Sequence, residues 1–247
     1  VMLQETHLTD RTTPEGDSPI GRAKGDFKKH GYRSAFTPAQ VTAKGGTSGG
    51  VAIAWKADRR ATVFTDIVPG RASGALISIS EIGEIMFISI YGHDGNINAT
   101  TETLRHITSF VSKIGKPFVV GGDFNASPEV ISTVCHELNF PAMVLAPMGA
   151  TCQAAHHVSC IDFFVVHPKL FVMCNERPSC TLTGVISPHD PVKLVLHLPG
   201  PQNQGLFQIG QANHPRPHMC SVPSCPLKIG PNRSLIAPAV SHNLSVP

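Results

Sequence analysis

A carboxylate and a carboxamide stand two positions apart where an apolar run ends in two glycines, in Val119-Val120-Gly121-Gly122-Asp123-Phe124-Asn125. A strand alternates its faces with a period of two, so Asp123 and Asn125 project to one side if the backbone stays extended, while Phe124 turns the other way into packing. The carboxylate can hold a cation or take a proton from water, and the amide can donate hydrogen bonds to an anionic oxygen. Taken alone, the stretch reads first as a strand ending in an Asx-type turn at a helix cap. Three further polar clusters close apolar runs: Leu3-Gln4-Glu5-Thr6-His7, Ile161-Asp162-Phe163 and Ser187-Pro188-His189-Asp190-Pro191-Val192. Water activation and hydrogen bonding to an anionic oxygen are tasks for which the four clusters together hold suitable groups.

In this order the clusters resemble the endonuclease/exonuclease/phosphatase family. Its members include deoxyribonuclease-I-like enzymes, abasic-site endonucleases, inositol polyphosphate phosphatases, sphingomyelinases and the endonuclease domains of non-LTR retrotransposons. The resemblance reaches over roughly residues 1 to 198, and the Leu3-Gln4-Glu5-Thr6-His7 word is typical of the retrotransposon branch. It implies an α/β (α+β) fold: two facing mixed β-sheets flanked by helices, a four-layer sandwich with its cleft at one end. It also implies a Mg²⁺ (or Mn²⁺) ion on Glu5 and Asp123, a hard cation that keeps several of its waters. By the same resemblance Asp123 would hold or deprotonate the attacking water and Asn125 would hydrogen-bond the scissile phosphate. His189 would be the cationic group at the phosphate, Asp162 would fix its tautomer and raise its pKa, and Tyr91 would touch the phosphate.

Each residue also has a plainer reading. Glu5 alone is a surface loop acid, His189 a turn residue between two prolines, Asp162 a strand-edge charge and Tyr91 a packed tyrosine. His93 and Asp94 either line the same cleft or cap a turn, and Trp55 and Phe163 belong to the core. Two departures from the family matter. The family carries an Asn on a strand upstream of the Glu, whereas here only four residues precede Glu5, so a site donor and a sheet member are expected to be missing and ladder groups exposed. Relatives read S-D-H-x-P in the last motif, but Pro188 replaces the Asp. Pro188 pushes Ser187 toward an extended conformation, which is expected to re-aim His189, and Asp190 lies on the wrong side to substitute.

With 247 residues and 41% hydrophobic content the chain can bury one large core, and periodic apolar runs fade after Leu198. One domain at 1–198 and a Pro/Gly/Asn-rich tail at 199–247 without structure are expected. The tail's His214, His218, Cys220 and Cys225 form a cluster that could hold zinc, at a spacing matching no common finger. A net charge of +3 is too mild to identify a nucleic-acid binder, and Arg22, Lys24, Lys28 and Lys29 read as a solvated loop or a phosphate-facing patch. Seven cysteines without framework spacing argue against a disulfide scaffold and for a reducing compartment, nucleus or cytoplasm. No leader pattern and no run approaching the ~18 apolar residues of a membrane span is visible.

The elements that must position these groups follow from periodicity. Strands are expected at residues 1–4, 49–55, 75–80, 85–91, 117–124, 161–166 and 192–198, with 75–80 and 85–91 paired as a hairpin. Leu104, Ile107, Phe110 or Val111 and Ile114 predict a helix capped by Asn98 or Thr100 and stopped by Gly115. Ser127-Pro128-Glu129 starts a second helix carrying Val130, Ile131, Val134 and Leu138. Residues 9 to 48 read as loops and short strands. The function expected is that of a Mg²⁺-dependent endonuclease acting on DNA as a monomer. The alternatives are a phosphomonoesterase or lipid phosphodiesterase on the same scaffold, or an inactive remnant or binding module, because this fold does not set its substrate.

Overall fold

The computed structural model describes residues 1–12, 16–43, 45–154, 157–181, 188–198 and 207–213, the last stretch, with 154 and 157, by backbone. In chain order the first elements are β1 (Met2–Gln4), α1 (Pro19–Lys29), β2 (Tyr32–Thr37), β3 (Gln40–Val41), β4 (Thr47–Ser48) and β5 (Val51–Lys56). Then come β6 (Ala61–Val68), β7 (Ala72–Ile79), β8 (Gly83–Tyr91), α2 (Ile97–Ile114), β9 (Phe118–Asp123) and α3 (Pro128–Glu137). The remainder are β10 (Met143–Leu145), β11 (Cys152–Ala154), β12 (His157–Ser159), β13 (Asp162–Val166), α4 (Pro168–Phe171), β14 (Ser179–Cys180), β15 (Val192–Leu196) and β16 (Phe207–Asn213).

Two six-stranded mixed sheets carry the architecture, ordered β14-β15-β16-β1-β5-β2 and β10-β13-β9-β8-β7-β6. Their inner faces enclose one core, in which Met2, Ile53 and Leu194 of the first sheet meet Ile77, Phe87, Val119 and Phe164 of the second. The outer face of the second sheet buries Ile88, Ile90, Val120 and Phe163 against Leu104, Ile107, Ile131 and Val134 of α2 and α3. Ile20 of α1 packs on Phe36 and Ala52 outside the first sheet. Helix, sheet, sheet and helix therefore make the four expected layers, each interface removing apolar surface from water. No helix among the described residues is long and apolar enough to cross a membrane.

Three expectations need correction. Residues 19–29 form a helix where loops were expected: Ser18 Oγ accepts from Gly21 N and Pro19 opens the first turn, the same Ser-Pro start that marks α3. Gly21, Gly25 and a sparse Ile20-Ala23-Phe27 stripe hid the period. The cap of α2 is Asn96, whose Oδ1 accepts from Ala99 N, instead of Asn98 or Thr100, while Gly115 takes the expected left-handed stop. Third, the neighbouring slot of β1 is not bare. The strand β16, from the stretch expected to lack structure, pairs parallel with β1 at Met2–Gln4 and antiparallel with β15 at Lys193–Leu196. In sequence its Phe207 and Ile209 alternate with Gln208, but Gly210 and Gln211 dilute the pattern to the level of a loop. The open ladder edges of β1 and β15 are what select it, a tertiary cause invisible in local periodicity. Ser187 and the His214, His218, Cys220 and Cys225 cluster lie outside the described residues.

Candidate active site

All of the expected site residues sit at one end of the paired sheets. Asp123 closes β9 between β8 and β13: its Cα partners are Tyr91 on one side and Asp162 on the other. Three chemistry-bearing residues from distant parts of the chain thus become neighbours through register alone. Asp123 and Asp162 are buried, and His189 joins them, with ligand-type atoms of all three within 4.8 Å of one another. His189 Nδ1 lies 2.9 Å from Asp162 Oδ2, while Nε2 lies 4.0 Å from Asp123 Oδ2. That pairing assigns the Nδ1 proton to the Asp162 side.

Glu5 approaches the cluster from the first sheet by way of Tyr91, and is not one of the three residues whose ligand atoms lie within 4.8 Å of one another. Gln4 Nε2 donates to Ser89 Oγ at 2.8 Å and Ser89 Oγ to Leu3 O at 3.0 Å, which ties the end of β1 across to β8. Beyond Gln4 the chain turns sharply, with Glu5 and His7 both at positive φ. Thr6 between them is buried against Gly50, where any Cβ would strike Thr6 Oγ1, so the Gly49-Gly50 pair is what admits this turn. The Glu5 carboxylate accepts from Tyr91 Oη at 3.1 Å and lies 3.4 Å from His7 Nε2. Tyr91 is therefore in the site, its hydroxyl directed to Glu5 and its pKa pushed up by burial first and then by Glu5 and Asp123.

The route by which Asn125 arrives differs from the extended-strand expectation. The strand stops at Asp123, and Asn125 adopts a left-handed φ of 50°, a conformation that Asn tolerates better than most residues. Its backbone N–H donates to Asp123 Oδ1 at 2.8 Å and its Nδ2 to Gly92 O at 3.3 Å. The Asx-type turn and the placement of Asn125 beside Asp123 are thus one structure. Phe124 turns inward as expected and stacks on Phe163 at 4.3 Å, and Trp55 is also buried. Gly92 allows a close approach to this turn, since a Cβ there would run into the Phe124 carbonyl. His93 is half-buried with its N–H bound to Thr100 Oγ1, and Asp94 is exposed, so neither joins the cluster.

Pro188 does not mis-aim His189. Gln153 N–H donates to Pro188 O at 2.8 Å and Asp190 N–H to Thr151 O at 2.7 Å, with an antiparallel bridge between Cys152 and His189. This short ladder holds the motif regardless of what precedes the histidine. Asp190 is buried and accepts from Gln153 Nε2 at 3.5 Å.

Three residues complete the surroundings without having been legible. Thr151 Oγ1 accepts from both Ile161 N (3.0 Å) and Asp162 N (2.9 Å), seating Asp162. Arg71 stacks on the Tyr91 ring at 4.7 Å and donates to Gly92 O at 3.1 Å and Ser48 Oγ at 3.3 Å. Cys152 Sγ lies 3.6 Å from His189 Nε2. A Gly70-Arg71 turn between two strands was the one available signal for Arg71. Nothing in the local sequence marks Thr151 or Cys152.

Electrostatically the site is an excess of buried acid. Burial first, then the Asp162 carboxylate, push Asp123 up to about 7, against the pull of His189 and of the Asn125 N–H. His189 stays protonated above its ordinary range, because Asp162, Asp123 and Glu5 together outweigh the desolvation that alone would lower it. Asp162 Oδ1 is buried and finds no hydrogen-bond partner among the described residues. Converging carboxylates that hold a proton among them can take a cation in its place or pass the proton on.

A known structure shares this architecture. The chain is similar to the endonuclease domain of TRAS1, a telomere-specific non-LTR retrotransposon, with TM-score 0.54 and 13% identity over 80% of this chain and 98% of that one. It is also similar to the cytolethal distending toxin of Actinobacillus actinomycetemcomitans, with TM-score 0.47 and 18% identity over 79% of this chain and 84% of the other. A third is an endonuclease/exonuclease/phosphatase family protein from Bacteroides thetaiotaomicron, with TM-score 0.45 and 14% identity over 78% and 96% of the two chains. No family model and no curated protein matches the chain. The fold is deoxyribonuclease-I-like.

Proposed function

We propose that the chain is a divalent-metal-dependent phosphodiesterase that cuts DNA as an endonuclease. The observation that carries this reading is the convergence of Glu5, Tyr91, Asp123, Asn125, Asp162 and His189 at one end of the sandwich, with Asp123 held at about 7 by burial among acids. Oxygen-rich and anionic, the Glu5 and Asp123 end of the site fits a hard cation such as Mg²⁺ or Mn²⁺. When bound there, the ion would neutralise charge on a phosphoryl oxygen. Asp123 accepts the proton of the attacking water as its oxygen bonds to phosphorus and the bond to the leaving sugar oxygen breaks. Asn125 keeps one amide N–H beyond its bond to Gly92, free for a phosphoryl oxygen. Protonated His189, steadied by Asp162 at Nδ1, presents Nε2–H to the same phosphate, and Tyr91 holds Glu5 in place.

The DNA assignment draws on the TRAS1 endonuclease domain, whose fold the chain shares. A groove of about 1110 Å³ lined by Asn125, Ser127, Met148, Cys160 and Arg177 opens beside the site on the Asn125 side. The test is plasmid nicking with Mg²⁺ by the full chain, Asp123→Ala and His189→Ala. Nicking that needs metal and falls about 10²–10⁴-fold in each variant is expected. Equal backgrounds in all three, insensitive to chelator, would sink the reading, and turnover of inositol phosphates without nicking would transfer the chemistry to a different substrate class.

A further inference from the structure

The Nε2 edge of His189 is flanked by a thiol as well as by a carboxylate, and neither the fold nor the hydrolytic chemistry calls for that thiol. Cys152 is buried, and Sγ lies 3.6 Å from Nε2. Asp123 Oδ2 lies 4.0 Å from the same nitrogen. On the far side of the ring, Nδ1 is bound to Asp162 at 2.9 Å. A carboxylate behind one ring nitrogen, with the other nitrogen turned toward further donors, is how histidine is oriented when it ligates a metal. In a tetrahedral zinc site, Zn–S near 2.3 Å and Zn–N near 2.0–2.1 Å put sulfur and nitrogen about 3.6 Å apart, and nitrogen and a carboxylate oxygen about 3.4 Å apart. The thiol and imidazole already stand at that separation. Asp123 Oδ2 stands about 0.6 Å farther from Nε2 than that edge requires. Cys152 lies outside the set of Asp123, Asp162 and His189 whose ligand atoms all fall within 4.8 Å of one another, so the Asp123 carboxylate would have to swing toward both donors to complete the set.

Two observations make this more than a cysteine near a histidine. The donors are preorganised: Cys152 and His189 face each other across an antiparallel bridge, with backbone hydrogen bonds Gln153 N to Pro188 O and Asp190 N to Thr151 O on either side. The cluster also contains the buried Asp162 Oδ1, which finds no partner among the described residues. We propose that Cys152 Sγ, His189 Nε2 and Asp123 form a soft-metal site that takes Zn²⁺ and shuts the hydrolytic centre. On binding, the Cys152 thiol, the His189 Nε2–H and, where it is protonated, the Asp123 carboxyl each give a proton to solvent. Sulfur–zinc, nitrogen–zinc and oxygen–zinc bonds replace waters of the zinc ion, with no change of oxidation state. A thiolate and an imidazole favour Zn²⁺ strongly over Mg²⁺, whereas the Glu5 and Asp123 oxygens favour the harder ion. The two metals therefore compete for Asp123, and zinc also occupies the nitrogen that would face the phosphate. This consequence for activity rests on the proposed function; the metal site does not.

The test uses the metal-free full chain. Titration with Cd²⁺, a spectroscopic stand-in for Zn²⁺, is followed by the ultraviolet thiolate-to-metal charge-transfer band. Cys152→Ala and His189→Ala should each lose one equivalent of that band, while a Cys220→Ala/Cys225→Ala variant should keep it. Cys152→Ser, which preserves volume, serves where the alanine variant unfolds. Zinc should inhibit Mg²⁺-supported nicking, and Cys152→Ala should need at least the roughly 10–100-fold more zinc that losing even an outer-shell partner costs. An unchanged band and unchanged inhibition in both Cys152 variants would overturn the proposal. Should the chain fail to nick at all, the endonuclease reading falls, and the dependence of the Cd²⁺ band on Cys152 and His189 still decides this site.

Discussion

Asp123→Asn should make the metal-free protein more stable while ending its metal-dependent activity. Burial and the neighbouring Asp162 raise Asp123 from 3.8 to about 7. Between those limits the folded chain keeps a proton that the unfolded chain has released. Stability therefore falls as pH rises through this window and levels off above it. At ~1.4 kcal/mol per unit of pKa, the ceiling on that loss is about 4 kcal/mol by about pH 8. Asparagine keeps an oxygen to accept from Asn125 N–H but gives up the attraction of the carboxylate to His189, so a net gain of about 2 kcal/mol is expected. For a domain of this size that is about 4–8 °C in Tm. His189 acts in the same direction: the stability its raised pKa contributes is present below its unfolded value near 6.5 and lost as pH rises through the folded one. The variant should accordingly keep a shallower decline. The assay is calorimetry in chelator at about pH 5 and about pH 8, with the variant matching the parent at the lower pH and exceeding it at the higher. A variant less stable than the parent at about pH 8 would refute the reasoning, because Asp123 would then be held by stabilising contacts and not by burial among acids.

The remaining expectations concern the residues that hold the site. Thr151→Val removes the acceptor of two backbone N–H groups in the seat of Asp162; with ~1–3 kcal/mol for each donor left unsatisfied, a Tm drop of several degrees and weaker nicking are expected, and an unchanged melting curve would deny Thr151 that role. Gly92→Ala drives a Cβ into the Phe124 carbonyl, so it should cost at least the ~1–3 kcal/mol of overpacking and displace the Asp123–Asn125 turn. Denaturant unfolding checks the first effect, and a loss under about 0.5 kcal/mol would count against it.

Much of the fold was legible because its periods are clean. Val51–Lys56, Gly83–Tyr91 and Phe118–Asp123 are apolar enough to read as buried strands, and Ser127-Pro128 and Gly115 mark helix ends by chemistry that works locally. Where composition diluted the period, reading failed: α1 carries two glycines, and β16 alternates for only three residues before Gly210. Pro188 suggested a displaced histidine because its local effect is on Ser187, whereas His189 is held by the ladder to Thr151 and Gln153.

Residue types and their order determined which groups this protein has for chemistry: acids at 5, 123 and 162, an amide at 125 and an imidazole at 189, each at the end of an apolar run. Burial of those runs leaves their polar residues at the strand ends, at one end of the sheets, which is why a one-dimensional pattern pointed to a site at all. Distance was decided only by pairing. The register of β9 with β8 and β13 sets Asp123 between Tyr91 and Asp162. Crowding at that junction, and not any intrinsic property of the residue, lifts the Asp123 acid to about 7. Cys152 beside His189 belongs to the same category, since a contact across 37 positions exists only once two strand edges have closed on each other.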